Sequence, residues 1–420
     1  MQEIERRRFL RLAGAGALAA AGTGLLAACG GGGTEAGATA TTVAGATKKS
    51  GNRKVRLGFI ALTDCASIVM AKELGYFAER DLDVSVEKQA SWPATRDALL
   101  TGGIDGAHCL FGMPFAVASG LGGGAPSQAL KIAMMINNNG QAITLSKDFA
   151  AVGYGDLDKA GAALESKSPT LAMTFPGGTH DIWLRYWLRA TGADESAIKI
   201  IPIPPPQMVA NMNVGTMDGF CVGEPWGAVA AQQGIGFTHI TSQDIWKHHP
   251  EKALVVNERF ATERADVLKD VMGAVLKASK WLDDLDNRAR TADVIGAAAY
   301  VNAPAVEILG RLKGEYELGA GIPDKTYTDD YMVFHRDGEV NAPRRAHALW
   351  WLAQFQRLGL QATAPITTAL PEALILQDLY EEVAAAEGVD VPDDDMAPFD
   401  VALDGATFDP TKPDEEAKRP

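Results

Sequence analysis

Strand-like and helix-like segments alternate along the first part of the chain, and this order leaves few folds open. KVRLGFIAL reads as a strand, CASIVMAKELGYFAER as a helix that closes near Gly75, and DLDVSVEKQ as a strand with a period of two. A second helix begins at Pro93, and IDGAHCL is a further strand. Because parallel strands need a crossover between them, usually a helix, this βαβαβ order predicts a parallel sheet with crossover helices.

The same order recurs after Ala142, with strands expected at 170–175, 198–203, 217–222 and 236–240 and helices at 180–190, from Pro206 and from Pro225. Segments near 131–145 and 236–255 join the two units. We therefore predict an α/β fold of two lobes around a cleft, with 53–142 and 246–380 in lobe 1 and 143–245 in lobe 2. The helical stretch 263–386 is expected to pack onto the first lobe.

The first residues resemble a bacterial export signal. Arg6–Arg11 is a twin-arginine stretch, and an apolar run follows it and ends in Leu26–Cys29, which resembles the lipobox of bacterial lipoproteins. We expect residues 1–28 to be a twin-arginine lipoprotein signal and Cys29 to carry the lipid that holds the protein at the cell membrane, outside the cytoplasm. The Gly-, Ala- and Thr-rich stretch 29–52 is expected to be a flexible tether.

The net charge of −14 is unevenly spread. Residues 381–420 hold thirteen acidic and three basic side chains, which predicts a solvated acidic tail, while the chain from 29 to 380 carries only −6. Nucleic acid is not expected as a partner. A small anion is not excluded, because a small binding site depends on its local donors rather than on the total charge.

The stretch TFPGGTHDIWLRYWL places a polar pair, Thr179 and His180, between a strand and an aromatic-rich helix. The first N–H groups of a helix are unpaired and carry partial positive charge, so this arrangement suits an anion. The alternative is an ordinary turn with Thr179 as the N-cap. From this segment alone, the ordinary turn is favoured.

Other segments begin helices at corresponding strand ends: LTDCAS, QASWPATRD with Trp92, NNNGQAIT with Gln141, and PPPQMVANM with Pro206. Ligands of open α/β sheets bind beyond the carboxyl ends of the strands, so these segments are expected to face the cleft. Taken singly, each has an ordinary explanation. Trp92 suits a core or rim position, Gln141 a loop amide, His180 a cap and Lys252 a solvated charge.

The segments GFIALTDCASIVMAKELGYFAE, KQASWPATRD, AMTFPGGTHDIWLRYWL, PPPQMVANMNVGTMDGFCVGEPW and IWKHHPEKA resemble the nitrate-binding solute receptors of ABC importers, a family that also contains bicarbonate receptors. The resemblance runs from Val55 to about Ala253 and more loosely to about residue 360. It implies a type II periplasmic-binding-protein fold, no enzymatic activity and no cofactor. It also implies delivery of nitrate or nitrite to the permease and ATPase subunits of an importer.

The resemblance also implies a ligand site. Trp92 matches the tryptophan that contacts the ion, Gln141 the amide that donates to it, and His180 the histidine at the ligand. Pro206 lies in the segment that lines the ion, and Gly178 and Thr179 at the helix start are also expected to bind it. Lys252 matches the basic residue that compensates the charge in nitrate receptors, where bicarbonate receptors have an acidic residue and use a metal ion.

The chemistry of nitrate agrees with this donor set. Nitrate is planar, singly charged and a poor proton acceptor, so several N–H donors, one ammonium and a flat apolar face suit it. Bicarbonate also donates a hydroxyl and needs a matching acceptor, for which Glu224 is a candidate, although a structural role fits it better. The preference for nitrate over bicarbonate depends mainly on Lys252.

Two other classes of function remain. A cytoplasmic nitrate-sensing regulator has a similar sequence, but the N-terminal signal argues against it. An enzyme is not supported, because the sequence contains no nucleophile elbow, no H-E-x-x-H and no Walker loop. Cys65, Cys109 and Cys221 lack metal-binding spacing and are expected to be buried thiols.

Overall fold

Two five-stranded sheets organise the protein in the computed structural model, which describes residues 51–420. The strands in this part of the chain are β1 Lys54–Phe59, β2 Asp83–Lys88, β3 Gly106–Leu110, β4 Leu130–Asn138, β5 Gln141–Ser146, β6 Thr170–Met173, β7 Lys199–Pro202, β8 Gly219–Gly223, β9 Gly236–Thr241, β10 Pro250–Asn257, β11 Glu315–Tyr316, β12 Lys325–Thr326, β13 Phe399–Val401 and β14 Ala406–Phe408. The helices are α1 Ala66–Glu73, α2 Trp92–Leu100, α3 Met113–Ala118, α4 Leu157–Lys167, α5 Thr179–Thr191, α6 Met208–Asn213, α7 Trp226–Gln232, α8 Ser242–Ile245, α9 Glu258–Glu263, α10 Ala265–Leu282, α11 Arg288–Gly296, α12 Ala305–Leu312, α13 Arg345–Arg357, α14 Ala369–Leu374, α15 Gln377–Glu387 and α16 Pro413–Ala417.

The two sheets have the same strand order. The first runs β2-β1-β3-β10-β4 and the second β7-β6-β8-β5-β9. In each sheet, three strands pair in parallel and one antiparallel strand enters from the other sheet, namely β10 in the first and β5 in the second. The predicted α/β class and the recurrence of its strand order are confirmed.

The chain crosses between the sheets twice. Asn139 and Gly140 join β4 to β5, and both have positive φ (63° and 95°), which permits the abrupt change of direction. The second crossing, from Ser242 to His249, joins β9 to β10 and contains α8. These crossings lie within a few residues of the boundaries predicted at 142/143 and 245/246.

The central strands are buried on both faces. Every residue of β3, β8 and β10 is buried, whereas β2 at the sheet edge is only half-buried. Helices on both faces explain why these strands read as nearly continuous apolar runs. Polar residues inside such strands, such as His108 and Lys252, must therefore find partners within the protein.

The helices after β10 contact both sheets, so the prediction that residues 263–386 pack onto the first lobe needs correction. Helices α10 and α15 cover the first sheet. Arg311 of α12, however, pairs with Glu224 at the end of β8 (3.1 Å), and Trp350 of α13 packs against Trp183 of α5. The sequence missed these contacts because amphipathic spacing identifies a buried face but not its neighbour.

The acidic C-terminal segment, residues 381–420, is packed rather than solvated, and the prediction of a solvated tail is wrong. Val401 and Phe408 of the β13–β14 hairpin are buried. The Phe399 ring stacks on Trp246 in the second crossing, with centroids 4.2 Å apart. Asp404 accepts a hydrogen bond from the Tyr186 hydroxyl (2.8 Å) and pairs with Arg419. Local ion pairs therefore neutralise part of the acidic charge.

The remaining predictions concern the termini and the cysteines. Cys29, the signal at 1–28 and most of the tether lie outside the described residues. Within residues 51–420, no helix is both long and apolar enough to cross a membrane. Cys65, Cys109 and Cys221 are free and buried, which confirms that they are buried thiols.

Candidate functional site

Lys252 is completely buried in β10 and is not a solvated charge. Its ammonium donates to Asp64 Oδ2 (2.7 Å) and to Glu251 Oε1, and it lies 5.9 Å from the centre of the Trp92 ring. Burial alone would lower the pKa of Lys252, but the two carboxylates outweigh burial and raise it. The site therefore contains a permanent, desolvated positive charge.

A β-bulge explains how Glu251 and Lys252 meet. Successive side chains of a strand normally point to opposite faces. The pairing of β10 with β4 shifts register between Pro250 and Lys252 and again between Lys252 and Ala253. Such bulges turn side chains out of the regular alternation and occur next to functional sites. Here the bulge allows two consecutive side chains to share one buried space.

Asp64 and His108 complete the surroundings of the ammonium, and the sequence analysis assigned no role to either. His108 Nε2 donates to Asp64 Oδ1 at 2.5 Å. Burial would raise the pKa of Asp64, but Lys252 and His108 lower it well below its usual value, so Asp64 stays ionised. Burial lowers the pKa of His108. Asp64 lies in LTDCAS, a segment selected for its position, so a search for carboxylates at helix starts would have found it.

His180 faces the same space. Its Nδ1 lies 2.5 Å from Thr174 Oγ1, and its Nε2 lies 3.6 Å from Glu251 Oε1 without a hydrogen bond. Burial, together with Lys252, lowers the pKa of His180 well below its usual value, so the ring is neutral. We call Asp64, His108, His180, Glu251 and Lys252 the Lys252 cluster.

The start of α5 contributes a second unpaired polar group. Gly178 is the N-cap and has no side chain with which to cap the helix. Asp181 instead accepts from the Gly177 N–H (2.8 Å) and pairs with Arg185. The Thr179 hydroxyl is buried without a hydrogen-bond partner. The alternative in which Thr179 is an ordinary N-cap is therefore wrong, and its hydroxyl is available to another group.

Trp92, on α2, packs against the Lys252 cluster, and Gln141, on β5, lies beside the buried Cys221. The Trp92 ring packs 5.7 Å from His108, and its buried Nε1–H has no acceptor. Gln141 pairs with Gly223 across β5 and β8, and its buried Nε2 also has no partner. Gln141 Oε1 lies 3.8 Å from the Cys221 sulfur. Burial raises the pKa of the Cys221 thiol, and the nearby Glu251 raises it further.

Two residues from the sequence analysis lie elsewhere. Pro206 is exposed, while the preceding Pro205 is buried. Glu224 is buried, and burial raises its pKa despite its pairing with Arg311. Because its oxygens face Arg311 and the Ala228 N–H (3.3 Å), Glu224 has a structural role rather than a role as a ligand acceptor.

The buried polar groups around Lys252 could bind a small acceptor. The indole of Trp92, the amide of Gln141, the imidazole of His180 and the hydroxyl of Thr179 all lack partners. A buried polar group without a partner costs about 1–3 kcal/mol, and the indole of Trp92 and the imidazole of His180 lie beside the ammonium and its Glu251 partner, so a ligand that accepts from both is favoured there. Among residues 51–420, no group of three His, Cys, Asp or Glu side chains is arranged to hold a metal ion.

Comparisons with known proteins give a consistent family relationship. The model of the NMT1-like family matches residues 48–296. The nitrate/nitrite binding protein NrtA of Synechococcus elongatus is 38% identical over 431 residues, covering 98% of this chain and 97% of that protein. The crystal structure of the periplasmic nitrate-binding protein NrtA from Synechocystis superposes with a TM-score of 0.81 at 34% identity, covering 87% of this chain and 97% of that one.

Two further relatives are informative. The nitrate import ATP-binding protein NrtC of Synechocystis is 35% identical over 364 residues, which span 85% of this chain and 53% of that protein. The bicarbonate-binding protein CmpA of Synechococcus elongatus is 29% identical over 382 residues, covering 86% of this chain and 85% of that protein.

Proposed function

The chain belongs to the NMT1-like family, and we propose that it is a solute-binding lipoprotein that captures nitrate outside the cytoplasm and delivers it to an ABC-type importer. Nitrite is the second candidate anion. The observation that carries the proposal is the buried Lys252 ammonium with the unpartnered indole of Trp92 and imidazole of His180 beside it. A planar monoanion would satisfy these donors and would meet one fixed positive charge.

Each residue has a specific role in this proposal. Lys252 would attract the anion through its ammonium, while Trp92, Gln141, His180 and Thr179 would donate to its oxygens. The start of α5 at Gly178 adds the partial positive charge of its first N–H groups. Gly178 also allows α5 to begin close to the end of β3, since a Cβ at this position would lie 2.7 Å from the Leu110 side chain. Pro206 remains a proposed lining residue that would require movement to reach the ligand.

Closure of the protein around the anion is part of the proposal. The four donor residues and Lys252 are completely buried, so an anion in solution cannot reach them in this conformation. The two crossings, Asn139–Gly140 and Ser242–His249, are the short segments about which the two sheets would move apart. The protein would thus bind and release its ligand without chemical change.

Bicarbonate is the alternative ligand, and one observation favours it. Glu251 Oε2 is buried without a hydrogen-bond partner, so it could accept the hydroxyl of bicarbonate. The Lys252 ammonium and the higher identity to nitrate-binding relatives favour nitrate. A cytoplasmic nitrate sensor remains the alternative from a different functional class.

Isothermal titration of a form of the protein that starts after Cys29 tests which anion binds. We expect heat with nitrate at micromolar protein, and competition by bicarbonate distinguishes the two anions. Absence of heat with both nitrate and nitrite would contradict the proposal. Detection of the unacylated protein in the cytoplasm would favour a sensor.

The membrane anchor requires its own experiment. We propose that Cys29 is acylated and that ATPase and permease subunits of an importer receive the anion. Cells that express the full chain should incorporate labelled palmitate into it, and Cys29→Ser should abolish the labelling. Labelling that persists in Cys29→Ser would place the lipid elsewhere.

A further inference from the structure

The charges in the Lys252 cluster are unusual for an anion site. Two carboxylates, Asp64 and Glu251, contact one ammonium, and the three groups are completely buried. With both carboxylates ionised, the cluster carries −1 before any ligand enters. A bound monoanion would make the total charge −2 in a buried environment that screens charge poorly.

Glu251 is the member whose charge can change. Six titratable or charged groups face it from the surrounding elements: Asp64, His108, His180, Cys221, His249 and Lys252. Burial raises the pKa of Glu251 above its usual value although Lys252 and His249 oppose the shift. Asp64, by contrast, stays ionised and Lys252 stays charged. Burial also lowers the pKa of His108, His180 and His249, so these rings are neutral.

The geometry places Glu251 where the anion would lie. Its Oε1 contacts Lys252 and lies 3.6 Å from His180 Nε2, and both of these groups are proposed ligand donors. Its Oε2 has no hydrogen-bond partner. A protonated carboxyl group could therefore donate to an anion oxygen, whereas an ionised one would repel the anion.

We propose that the site captures its anion together with one proton, which is held by the Glu251 carboxyl group. This inference rests on the proposed function of anion binding. The proton comes from solvent, binds a carboxylate oxygen and leaves the occupied cluster at −1 rather than −2. No covalent bond of the anion is formed or broken.

The sign of the pH dependence follows from linkage. The anion binds the protonated form more tightly, so binding raises the pKa of Glu251. The association constant is highest below the pKa of the free protein. It falls by up to tenfold per pH unit until pH exceeds the pKa of the complex.

Titration calorimetry in several buffers at one pH tests the proposal. Nitrate is injected in buffers that differ in ionisation enthalpy, and the slope of the observed heat against that enthalpy counts the protons taken up. We expect an uptake of about one proton when the pH lies between the two pKa values. Binding heat with zero slope at every pH from 6 to 9 would overturn this proposal and leave the proposed function intact.

Glu251→Gln tests the assignment to Glu251. Glutamine keeps an oxygen toward Lys252 but cannot ionise, so the observed heat should no longer depend on the ionisation enthalpy of the buffer. At pH values above the transition of the wild type, the nitrate affinity of the variant should equal or exceed that of the wild type. A merely structural role would weaken binding at every pH. Glu258→Gln, which removes an exposed carboxylate just after β10, should keep the wild-type slope. An unchanged slope in Glu251→Gln would overturn the assignment.

Discussion

At the scale of single residues, Lys252 shows how burial changes the electrostatic effect of a charge. On the surface, its ammonium would be screened by water and salt and would contribute little. In the interior it is held by Asp64 and Glu251, and its charge cannot be lost at neutral pH because its pKa is raised. The proposed preference for nitrate therefore depends on a residue whose position the bulge in β10 sets.

We expect Lys252→Glu to abolish nitrate binding. It replaces the one ammonium with a third carboxylate, so the anion loses a charge-assisted hydrogen bond of about 1.5–3 kcal/mol and meets a like charge instead, which corresponds to a loss of roughly a hundredfold or more in affinity. Titration calorimetry measures the loss. Lys252→Met, which is neutral and of similar length, covers the case in which the glutamate variant does not fold. The exposed Lys247→Glu is the control, and retained affinity in both variants at position 252 would show that Lys252 is not the selector.

The indole of Trp92 allows a second substitution that separates binding from stability. Trp92→Phe keeps an aromatic ring but removes an N–H that has no partner in the protein. We expect nitrate affinity to fall by about tenfold, the value of one hydrogen bond to a charged acceptor, while the free energy of unfolding without nitrate decreases little. Trp187→Phe is the control, because the Trp187 indole also lacks a partner but packs against His239 of β9 and should leave affinity unchanged. Equal affinities of Trp92→Phe and the wild type would contradict the role of Trp92.

At the scale of secondary-structure elements, different residues of α5 stabilise the start of the helix and are proposed to bind the ligand. Asp181, in the first turn of α5, accepts a hydrogen bond from the Gly177 N–H in the turn that precedes the helix. The side chains at the very start of α5 are therefore not needed to cap the helix. Thr179 therefore lies at a helix start with a buried, unused hydroxyl. This division of tasks is what an anion site at a helix terminus requires.

Thr179→Val tests this division. Valine has nearly the same shape but no hydroxyl, so we expect a change in the free energy of unfolding below about 0.5 kcal/mol and a five- to tenfold loss of nitrate affinity. Urea unfolding and titration calorimetry measure the two effects. Thr238→Val, at another buried hydroxyl without a partner on β9, should leave affinity unchanged. Marked destabilisation without loss of affinity would show that Thr179 acts in the fold only.

The same elements show what the sequence could predict. Alternating strand and helix patterns predicted the α/β fold with its repeated strand order, because parallel topology restricts the possible connections. The patterns could not show that β10 bulges at Glu251, since a bulge depends on pairing across the sheet. Asp64 and His108 were missed because a carboxylate and a histidine in apolar segments become an ion-pair network only once distant elements pack together.

At the scale of the whole molecule, the C-terminal segment connects the second crossing with α5 and α13. It stacks Phe399 on Trp246 in the second crossing and joins Tyr186 of α5 through Asp404. It also reaches α13, where Gln354 donates to Glu416 (2.7 Å). Composition predicted a solvated tail because it counts acidic residues without showing the arginines and aromatic rings that they contact.

Phe408→Ala measures how much this segment stabilises the protein. The side chain is 2% exposed, and removing a buried phenylalanine costs about 3–5 kcal/mol. We expect a corresponding loss in the free energy of urea unfolding, with nitrate affinity of the folded variant within about twofold of the wild type. Val214→Ala, at a side chain that is 75% exposed, is the control. Unfolding of Phe408→Ala at the wild-type urea concentration would contradict the packing of the segment.

The complete burial of the donors around Lys252 has a kinetic consequence. An ion held there leaves only as often as the protein loosens around it, so its residence time is a property of the fold rather than of diffusion. A transporter that collects the proposed ion would gain speed by promoting this opening, and the pace of uptake would then depend on the surface through which it contacts the carrier.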